Sequence, residues 1–212
     1  MRDLSGRHPW RTIWFQPKKT LETIVRINPS YQIWVFSTIC GLLFYFNIAQ
    51  FYSLTMKMGF LGAASLALVV SPFLGYLYLV ATSWLIFITG KIVKGEASFL
   101  ACRAALAWAY APLLINLVVW ICLLVIFQER LFSYFPGIEP LPSGQAYIVF
   151  GASLVQVAGA VWSLIIYLQG LVQVQGYSMT RAILNVVIAV LLFLAFIFLL
   201  WLLAILLWAS LI

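Results

Sequence analysis

Residues 91–112 read KIVKGEASFLACRAALAWAYAP and interrupt an apolar run that otherwise extends from about Ile33 almost to the C-terminus. Four charged side chains lie together in this interruption: Lys91, Lys94, Glu96 and Arg103. Charged residues between two long apolar segments mark the place where a chain reaches the membrane surface and turns back. The stretch therefore predicts a helical hairpin at the centre of the molecule.

The composition of the chain is that of an integral membrane protein. Of its 212 residues, 65% are hydrophobic and 8% are charged, whereas roughly a quarter are charged in soluble domains. The formal net charge of +7 comes from few basic residues, which lie beside the apolar segments. This distribution argues against nucleic acid as a partner and indicates contact with the anionic headgroups of membrane lipids.

Groups that could carry catalysis or bind a metal are sparse. The chain has three cysteines, and no two of them form a CxxC motif: Cys40, Cys102 and Cys122. They therefore support neither a disulfide framework nor a metal site. His8 is the sole histidine, and no Asp or Glu lies inside an apolar segment. Since hydrolases and ion-coupled pumps need such groups, we expect no enzyme activity, no cofactor and no metal.

The apolar run divides into five segments, each long enough to cross a bilayer as a helix of roughly 20 residues. The predicted spans are about Ile33–Ser53, Phe60–Thr89, Ala104–Phe127, Ala146–Leu168 and Ala182–Leu211. Pro72 would bend the second span and Pro112 the third. The predicted fold class is an all-α polytopic membrane protein with five transmembrane helices, preceded by a short interfacial helix.

Residues 1–30 form a basic segment ahead of the first span, and we treat them as separate from a membrane domain of residues 31–212. Pro17 and Asn28 are typical of a helix start and end. Apolar and charged side chains fall on different faces of this helix: Leu21, Ile24 and Val25 against Lys18, Glu22 and Arg26. Three aromatic residues precede it: Trp10, Trp14 and Phe15. The pattern predicts a helix lying flat on the membrane surface, with a solvated, unordered tail as the alternative.

Basic residues are distributed unevenly between the two sides of the predicted spans. With the N-terminus inside, ten Lys and Arg residues lie on the inner side and two, Lys57 and Arg130, on the outer side. Because basic segments stay in the cytoplasm, the count predicts a cytoplasmic N-terminus and an external C-terminus. The expected location is a bacterial cytoplasmic (inner) membrane.

Two turns on the inner side have similar sequences, GEASFLACRA from residue 95 and GYSMTRA from residue 176. Ser98 and Ser178 are natural N-caps, and Arg103 and Arg181 follow them. A cation in the first turns of a helix opposes the helix dipole, so helix stability does not explain these arginines. The alternatives are that they contact lipid phosphate, that they serve as orientation signals, or that they pair with Glu96. Parallel structural repeats and a chance similarity of two helix starts both remain open. The candidate residues for binding lipids or a partner are Arg103, Arg181, Glu96, Lys91, Lys94, Lys18, Lys19 and Arg26.

Neutral polar residues inside the apolar segments suggest a second kind of site. Five of them could line a polar path for a neutral solute or lipid: Asn47, Gln50, Asn116, Gln156 and Asn185. The alternative role is hydrogen bonding between helices, worth roughly 0.6 to 2 kcal/mol each. Small residues at 104–111 and 151–160 predict that the third and fourth spans form the core.

Three motifs lie in order along the chain. They are WFQPKKT at residues 14–20, GEASF at 95–99 followed by Arg103-Ala104, Ala107-Trp108 and Pro112, and GYS at 176–178 followed by Arg181-Ala182. Together they resemble the bacterial branch of the Yip family, the Ypt/Rab-interacting membrane proteins. The resemblance implies a cytoplasmic N-terminal region followed by five membrane helices.

In eukaryotes the family is linked to vesicle trafficking between endoplasmic reticulum and Golgi, through Rab GTPases and membrane shaping. Residues 1–30 are shorter than the partner-binding region of such members, so the Rab partner is not transferred. The resemblance also implies no catalytic residue.

Two functions from different classes follow. The first is a non-enzymatic membrane protein that organises lipids or protein partners and is linked to membrane trafficking or envelope homeostasis. The second is a channel or carrier for a small neutral solute or lipid. The expected partners are anionic membrane lipids, with a second copy of the chain or another membrane protein left open.

Overall fold

The computed structural model describes residues 8–52, 54–128 and 143–209, and all regular structure in these ranges is helical. Five helical stretches are long and apolar enough to cross a membrane, which confirms the all-α polytopic fold. Two short helices precede them, and the third span is divided in two. The elements are α1 Pro9–Thr12, α2 Pro17–Ile27, α3 Ile33–Phe51, α4 Leu54–Ile92, α5 Phe99–Ala109, α6 Leu114–Phe127, α7 Ser143–Gln175 and α8 Met179–Ala209.

Four spans are longer than predicted at the end of the bundle where α4 meets α5 and α7 meets α8. We call this the basic end. Here the helices reach Ile92, Phe99, Gln175 and Met179. The sequence pattern places the boundaries at charged residues, yet Lys91 and Arg103 lie within helices. Their aliphatic stems pack as apolar side chains do, so a charge near a helix end does not end the helix.

The turn between α4 and α5 is closed by main-chain hydrogen bonds. The N–H of Gly95 donates to the carbonyl of Gly90 at 2.8 Å, and that of Lys94 to Lys91 at 3.2 Å. Lys94 has a φ of 62°, so it takes the left-handed position that ends many helices. Ser98 then caps α5 by accepting a hydrogen bond from the backbone N–H three residues later, at 3.2 Å. The predicted hairpin and the predicted cap are confirmed.

The third span is interrupted at Pro112, as the sequence predicts. Pro112 lies in a single 3₁₀ turn, Ala111–Leu113, between α5 and α6. The N–H of Leu113 pairs with the carbonyl of Tyr110 at 3.0 Å, the tighter spacing of a 3₁₀ turn. The carbonyl of Ala109 accepts a hydrogen bond from the Ser163 hydroxyl of α7 at 2.7 Å. A neighbouring helix therefore satisfies a backbone group beside the break.

The backbones of α3 and α4 are in direct contact. A Cβ atom added at Gly41 would overlap the backbone of Ser71, and one added at Gly75 would overlap the backbone of Ser37. Small residues at a helix interface permit this approach in membranes, where close packing is a main source of helix association. The first two spans therefore form a tight antiparallel pair.

The main hydrophobic core lies at the basic end, where α5 and the basic-end half of α7 pack with residues of α2, α3 and α4. All residues from 101 to 109 are buried, and so are Ile166, Tyr167 and Leu171 of α7. A second cluster, which includes Phe46 and Trp120, lies between α3, α4 and α6.

Among the small residues at 151–160, Ala158 and Ala160 are exposed, Gly151 and Ala152 are half-buried and Gly159 is buried. The prediction that the third and fourth spans form the core is therefore incomplete, because α3 and α4 contribute to it as well and no residue of α7 from 144 to 158 is buried. Small residues allow close approach of a neighbour, but they do not supply one.

The N-terminal helix α2 forms over nearly the predicted residues, but its surroundings differ from the prediction. It packs against α5 and α7, and Leu21 and Ile24 are 0% exposed. A Cβ atom at Gly170 of α7 would crowd the Leu21 side chain, so this glycine makes room for the helix. The apolar face of α2 therefore lies on protein rather than on lipid.

The aromatic residues before α2 divide into two groups. The Trp10 ring packs against Phe36 and Trp108, with centroids 5.0 and 5.4 Å apart. Phe15 is 85% exposed, as a residue in contact with lipid headgroups would be. Amphipathic periodicity identifies a covered face but not the material that covers it. For this reason the sequence pattern assigns to lipid a face that the bundle covers.

Candidate functional site

The basic end carries an exposed set of cations, which we call the basic surface. Its six members are Lys18, Lys19, Arg26, Lys91, Lys94 and Arg181. Two exposed carboxylates, Glu22 and Glu96, lie on the same elements. Because α2 packs against α5 and α7, its three cations are held in place relative to the other three. Of the residues described at the opposite end of the spans, Lys57 alone is basic.

Gln175, at the end of α7, joins the two turns of the basic end. Its side chain is 1% exposed, and its Oε1 accepts a hydrogen bond from the Ala97 N–H at 3.1 Å. Its main-chain carbonyl accepts one from the Glu96 N–H, also at 3.1 Å. Its Nε2 donates to the Cys102 Sγ at 3.5 Å. One residue thereby ties the α4–α5 turn to α7.

Two glycines make this position of Gln175 available. A Cβ atom at Gly90 or at Gly95 would overlap the Gln175 amide. Sequence analysis missed Gln175, although a glutamine directly before the Gly176 turn is a signal that could have identified it. A polar residue at the end of an apolar helix has few partners other than the neighbouring turn.

Asn185 of α8 forms a second buried connection. Its Nδ2 donates to the Tyr177 hydroxyl at 2.9 Å and to the Ile86 carbonyl at 3.3 Å, while its Oδ1 accepts from Thr89. Burial raises the pKa of Tyr177 above its ordinary 10.0, against an opposing effect of the hydrogen bond with Asn185. The hydroxyl is therefore neutral at physiological pH. Asn185 thus joins α4 to α8, the interhelical role that the sequence left open.

Arg103 is turned into the protein. The residue is 7% exposed, and its two terminal nitrogens donate to Ser30 at 2.7 Å and to the Tyr76 hydroxyl at 3.4 Å. The guanidinium carbon lies 5.7 Å from the centre of the Phe99 ring. These neutral and aromatic contacts join the N-terminal segment to α4 and α5. Arg103 is therefore not part of the basic surface.

Arg181 differs from Arg103 in every one of these respects. It is exposed, and within the described ranges it makes no hydrogen bond and no ion pair. The two turns are alike in holding one residue in the left-handed region, Lys94 with φ 62° and Gly176 with φ 70°. The two arginines are not equivalent, because α5 starts against other elements whereas α8 starts at the edge of the bundle. This favours the chance similarity of two helix starts, one of the two alternatives that the sequence left open. The resemblance is confined to the turns.

Glu96 is exposed and pairs with neither arginine. Throughout residues 8–52, 54–128 and 143–209, no Lys or Arg comes within 4.0 Å of a carboxylate. The expected pairing of Glu96 is therefore absent. Lys91 lies close to a neutral group instead, with its ammonium 5.2 Å from the centre of the Phe87 ring.

The neutral polar candidates do not form one continuous path. Asn47, Asn116 and Gln156 line the same cavity of about 440 Å³ between α3, α6 and α7. Asn185 lies apart from it in the cluster at the basic end, and Gln50 is not among the residues that line the cavity. The five residues therefore belong to different environments.

The model of the Yip1 domain family matches residues 10–211, which is nearly the whole chain. The chain belongs to the Yip family. No curated protein and no solved structure matches the chain significantly. The assignment to the bacterial branch stays a prediction.

In this Yip1 domain, the three sequence motifs come together at the basic end. Residues 14–20 lead into α2, residues 95–99 form the turn after α4, and residues 176–178 form the turn after α7. The matched range includes α2 as well as all five spans. The division of the chain into two domains at residue 30 stays a prediction, and α2 shares its hydrophobic core with the spans.

The described part of the Yip1 domain contains no group of three His, Cys, Asp or Glu side chains arranged to hold a metal ion. Cys40 and Cys102 are buried free thiols, and Cys122 is an exposed one. The expectation of no metal and no cofactor concerns the whole chain and stays a prediction.

Proposed function

We propose that this integral membrane protein of the Yip family is non-enzymatic and organises anionic lipids around its cytoplasmic end. The observation that carries the proposal is the basic surface, with six exposed cations against two exposed carboxylates. Three of the cations come from α2, and the other three lie at the end of α4, in the turn after it and at the start of α8. A surface of this composition attracts phosphate headgroups of the adjacent leaflet.

The fixed position of α2 supports this function. Each Lys or Arg near an anionic leaflet gains about 1 kcal/mol from the negative surface potential. A flexible tail loses part of this gain to the ordering of its chain on binding. In α2 the backbone is already ordered by packing of Leu21 and Ile24 against the bundle. The three α2 cations therefore act together with the other three.

The proposal places the basic end in the cytoplasm, the N-terminus inside and the C-terminus outside a bacterial inner membrane. The excess of Lys and Arg at this end supports the orientation. An acidic protein, or a second copy of the chain, could use the same surface in place of lipid. A carrier function has less support, because the polar residues of the spans lie in separate environments.

The test uses purified protein in bilayers that contain phosphatidylglycerol and phosphatidylcholine. Lipids retained on the protein are counted by native mass spectrometry after gentle extraction. One variant changes Lys18, Lys19 and Arg26 to Gln, and a second changes Lys91, Lys94 and Arg181 to Gln. Lys57→Gln, an exposed cation at the opposite end, is the matched control.

The wild type should retain phosphatidylglycerol in excess of its share in the bilayer, and the excess should fall with added salt. Each triple variant should lose much of the excess, and Lys57→Gln should keep it. Equal retention by the wild type and both triple variants would overturn the proposal. If the triple variants instead lose only an acidic protein that copurifies with the wild type, the surface binds protein and not lipid.

A further inference from the structure

Phe15, at the corner between α1 and α2, is turned away from the protein. It is 85% exposed, although it directly follows two apolar residues that pack inward. Ile13 is 0% exposed, and Trp14 is half-buried against the main hydrophobic core. A single apolar side chain on a protein surface is ordinary. The meaning of Phe15 therefore depends on how firmly it is held and on what lies beside it.

Hydrogen bonds hold this corner in one conformation. The N–H of Gln16 donates to the Thr12 carbonyl at 2.8 Å, and the N–H of Phe15 donates to the same carbonyl at 3.2 Å. The buried hydroxyls of Thr20 and Thr12 are hydrogen-bonded at 2.8 Å, which ties α2 to α1. Since the backbone on both sides of Phe15 is fixed, the exposure of its ring is a property of the fold.

The corner lies beside the spans rather than beyond their ends. The Trp10 ring of α1 packs against Phe36, in the first turn of α3, and against Trp108, nine residues after the start of α5. Leu21 of α2 lies against Gly170, five residues before the end of α7. At 1.5 Å of helix per residue, these contacts lie about 7 to 14 Å from the turns of the basic end, measured toward the bilayer.

This is the level at which the first span enters the membrane. Helix α3 begins at Ile33, and only residues 28–32 separate it from α2. The connection keeps α2 beside the lipid headgroups that surround the start of α3. Phe15 is followed closely by two exposed lysines, Lys18 and Lys19. An exposed aromatic ring with neighbouring lysines is typical of segments that lie in a membrane interface.

Lipid fits this position better than a protein partner does. Ile27, at the other end of α2, is 59% exposed, so apolar side chains protrude at both ends of the helix. Between them lie the exposed cations of α2, whose apolar stems can lie in the edge of the bilayer while their charges stay among the phosphates. A soluble partner would have to enter the headgroup region to cover Phe15, whereas lipid is already there.

We propose that Phe15 inserts into the leaflet at the basic end and anchors the corner of α1 and α2 beside the bundle. The partner is the lipid surface itself, through its glycerol and acyl groups. The face of α2 that carries Leu21 and Ile24 stays on the bundle, so the helix is held between protein and lipid. An apolar anchor needs no anionic lipid, so it stands apart from the proposed function of the basic surface.

The first test measures what surrounds position 15. A nitroxide label is attached to Phe15→Cys in the full-length, cysteine-free protein, which is reconstituted into phosphatidylcholine bilayers without net charge. Collisions of the label with oxygen, which concentrates in hydrocarbon, are compared with collisions with a water-soluble nickel chelate. Glu96→Cys, an exposed position in the α4–α5 turn, is the matched control for contact with water.

The ratio of oxygen to nickel collisions should be several-fold higher at position 15 than at position 96. Equal ratios would show that Phe15 faces water. Low collision rates with both reagents at position 15 would show that protein covers it. Either of these results overturns the proposal.

The second test measures hydrogen exchange of the α1 and α2 amides in the same bilayers, with the native cysteines in place. Phe15→Ser should speed this exchange several-fold, because it removes the anchor. Phe15→Leu, which keeps an apolar side chain, should exchange at close to the wild-type rate. Unchanged exchange in Phe15→Ser overturns the proposal, and so does equal acceleration in both variants. This measurement decides the result if the cysteine-free protein does not fold.

Discussion

Replacing Gln175 by leucine keeps a buried side chain of similar size but removes the amide that ties the α4–α5 turn to α7. The Ala97 N–H then loses its acceptor. Ala97 is 4% exposed, so water cannot readily take the place of that acceptor. The Glu96 N–H keeps its partner, because that partner is the main-chain carbonyl of Gln175.

A buried donor without a partner costs about 1 to 3 kcal/mol. The contact of Nε2 with the Cys102 Sγ, at 3.5 Å, adds little because sulfur is a weak acceptor. We therefore expect Gln175→Leu to lower the free energy of unfolding by about 2 kcal/mol. The exchange of the Ala97 amide should become about 30-fold faster, since 1.4 kcal/mol is a tenfold change.

Two measurements check this prediction. Thermal unfolding in detergent can be followed by the reaction of buried Cys40 and Cys102 with a thiol-reactive dye, in a Cys122→Ser background. Residue-resolved hydrogen exchange then compares the Ala97 and Glu96 amides. Gln173→Leu, a half-buried position on the same turn of α7, is the matched control. The reasoning is refuted if Gln175→Leu is as stable as this control, or if the Ala97 amide exchanges as slowly as in the wild type.

Three further predictions concern packing, topology and pH. Gly75→Ala should destabilise the protein by about 1 to 3 kcal/mol or more, because the added Cβ atom overlaps the backbone of α3. Gly151→Ala is the control and should not destabilise it, because Gly151 has open space around it. Equal losses of unfolding free energy in the two variants would contradict the close contact of α3 and α4. In a cysteine-free background, Lys94→Cys should react with an impermeant thiol reagent from the cytoplasmic side only and Gly144→Cys from outside only; labelling of both from one side excludes the five-span topology. Burial raises the pKa of Tyr177, so the folded state favours the protonated hydroxyl. The resulting contribution to the free energy of unfolding is complete below the ordinary pKa of 10.0 and is lost as pH rises through the pKa of the folded state. The difference in unfolding free energy between the wild type and Tyr177→Phe should therefore shrink above pH 10, whereas a constant difference would argue against the shift.

The helices and their turns follow from the sequence because each depends on local chemistry. Long apolar segments require helices in a bilayer, and Ser98 and Pro112 mark a cap and a break by their own side chains. Only the boundaries differ, since Lys91 and Arg103 lie inside helices, whereas the predicted spans stop short of them. These features can be predicted from nearby residues alone.

The site depends on contacts between distant residues, which periodicity does not encode. Arg103 and Arg181 have similar sequence surroundings, yet one is enclosed by Ser30 and Tyr76 and the other is exposed. The prediction that Asn116 and Asn185 could share a path also depended on where neighbouring helices lie. Gln175 was missed for the same reason, because its partners are in a turn far away in sequence.

The packing of α2 against α7 has a consequence for the order of events during synthesis. A ribosome adds roughly 5 to 20 residues per second, so on the order of 10 s pass between the emergence of α2 and that of the α7 residues that cover it. During that interval Leu21 and Ile24 lack the α7 residues that cover them, and α2 has α1 and later α5 to pack against. Helix α2, made before any of the spans, thus reaches its final place only when the fourth span has been inserted. A chain released before that point presents an uncovered apolar helix with basic flanks, a feature by which quality-control proteases can distinguish it from the finished molecule.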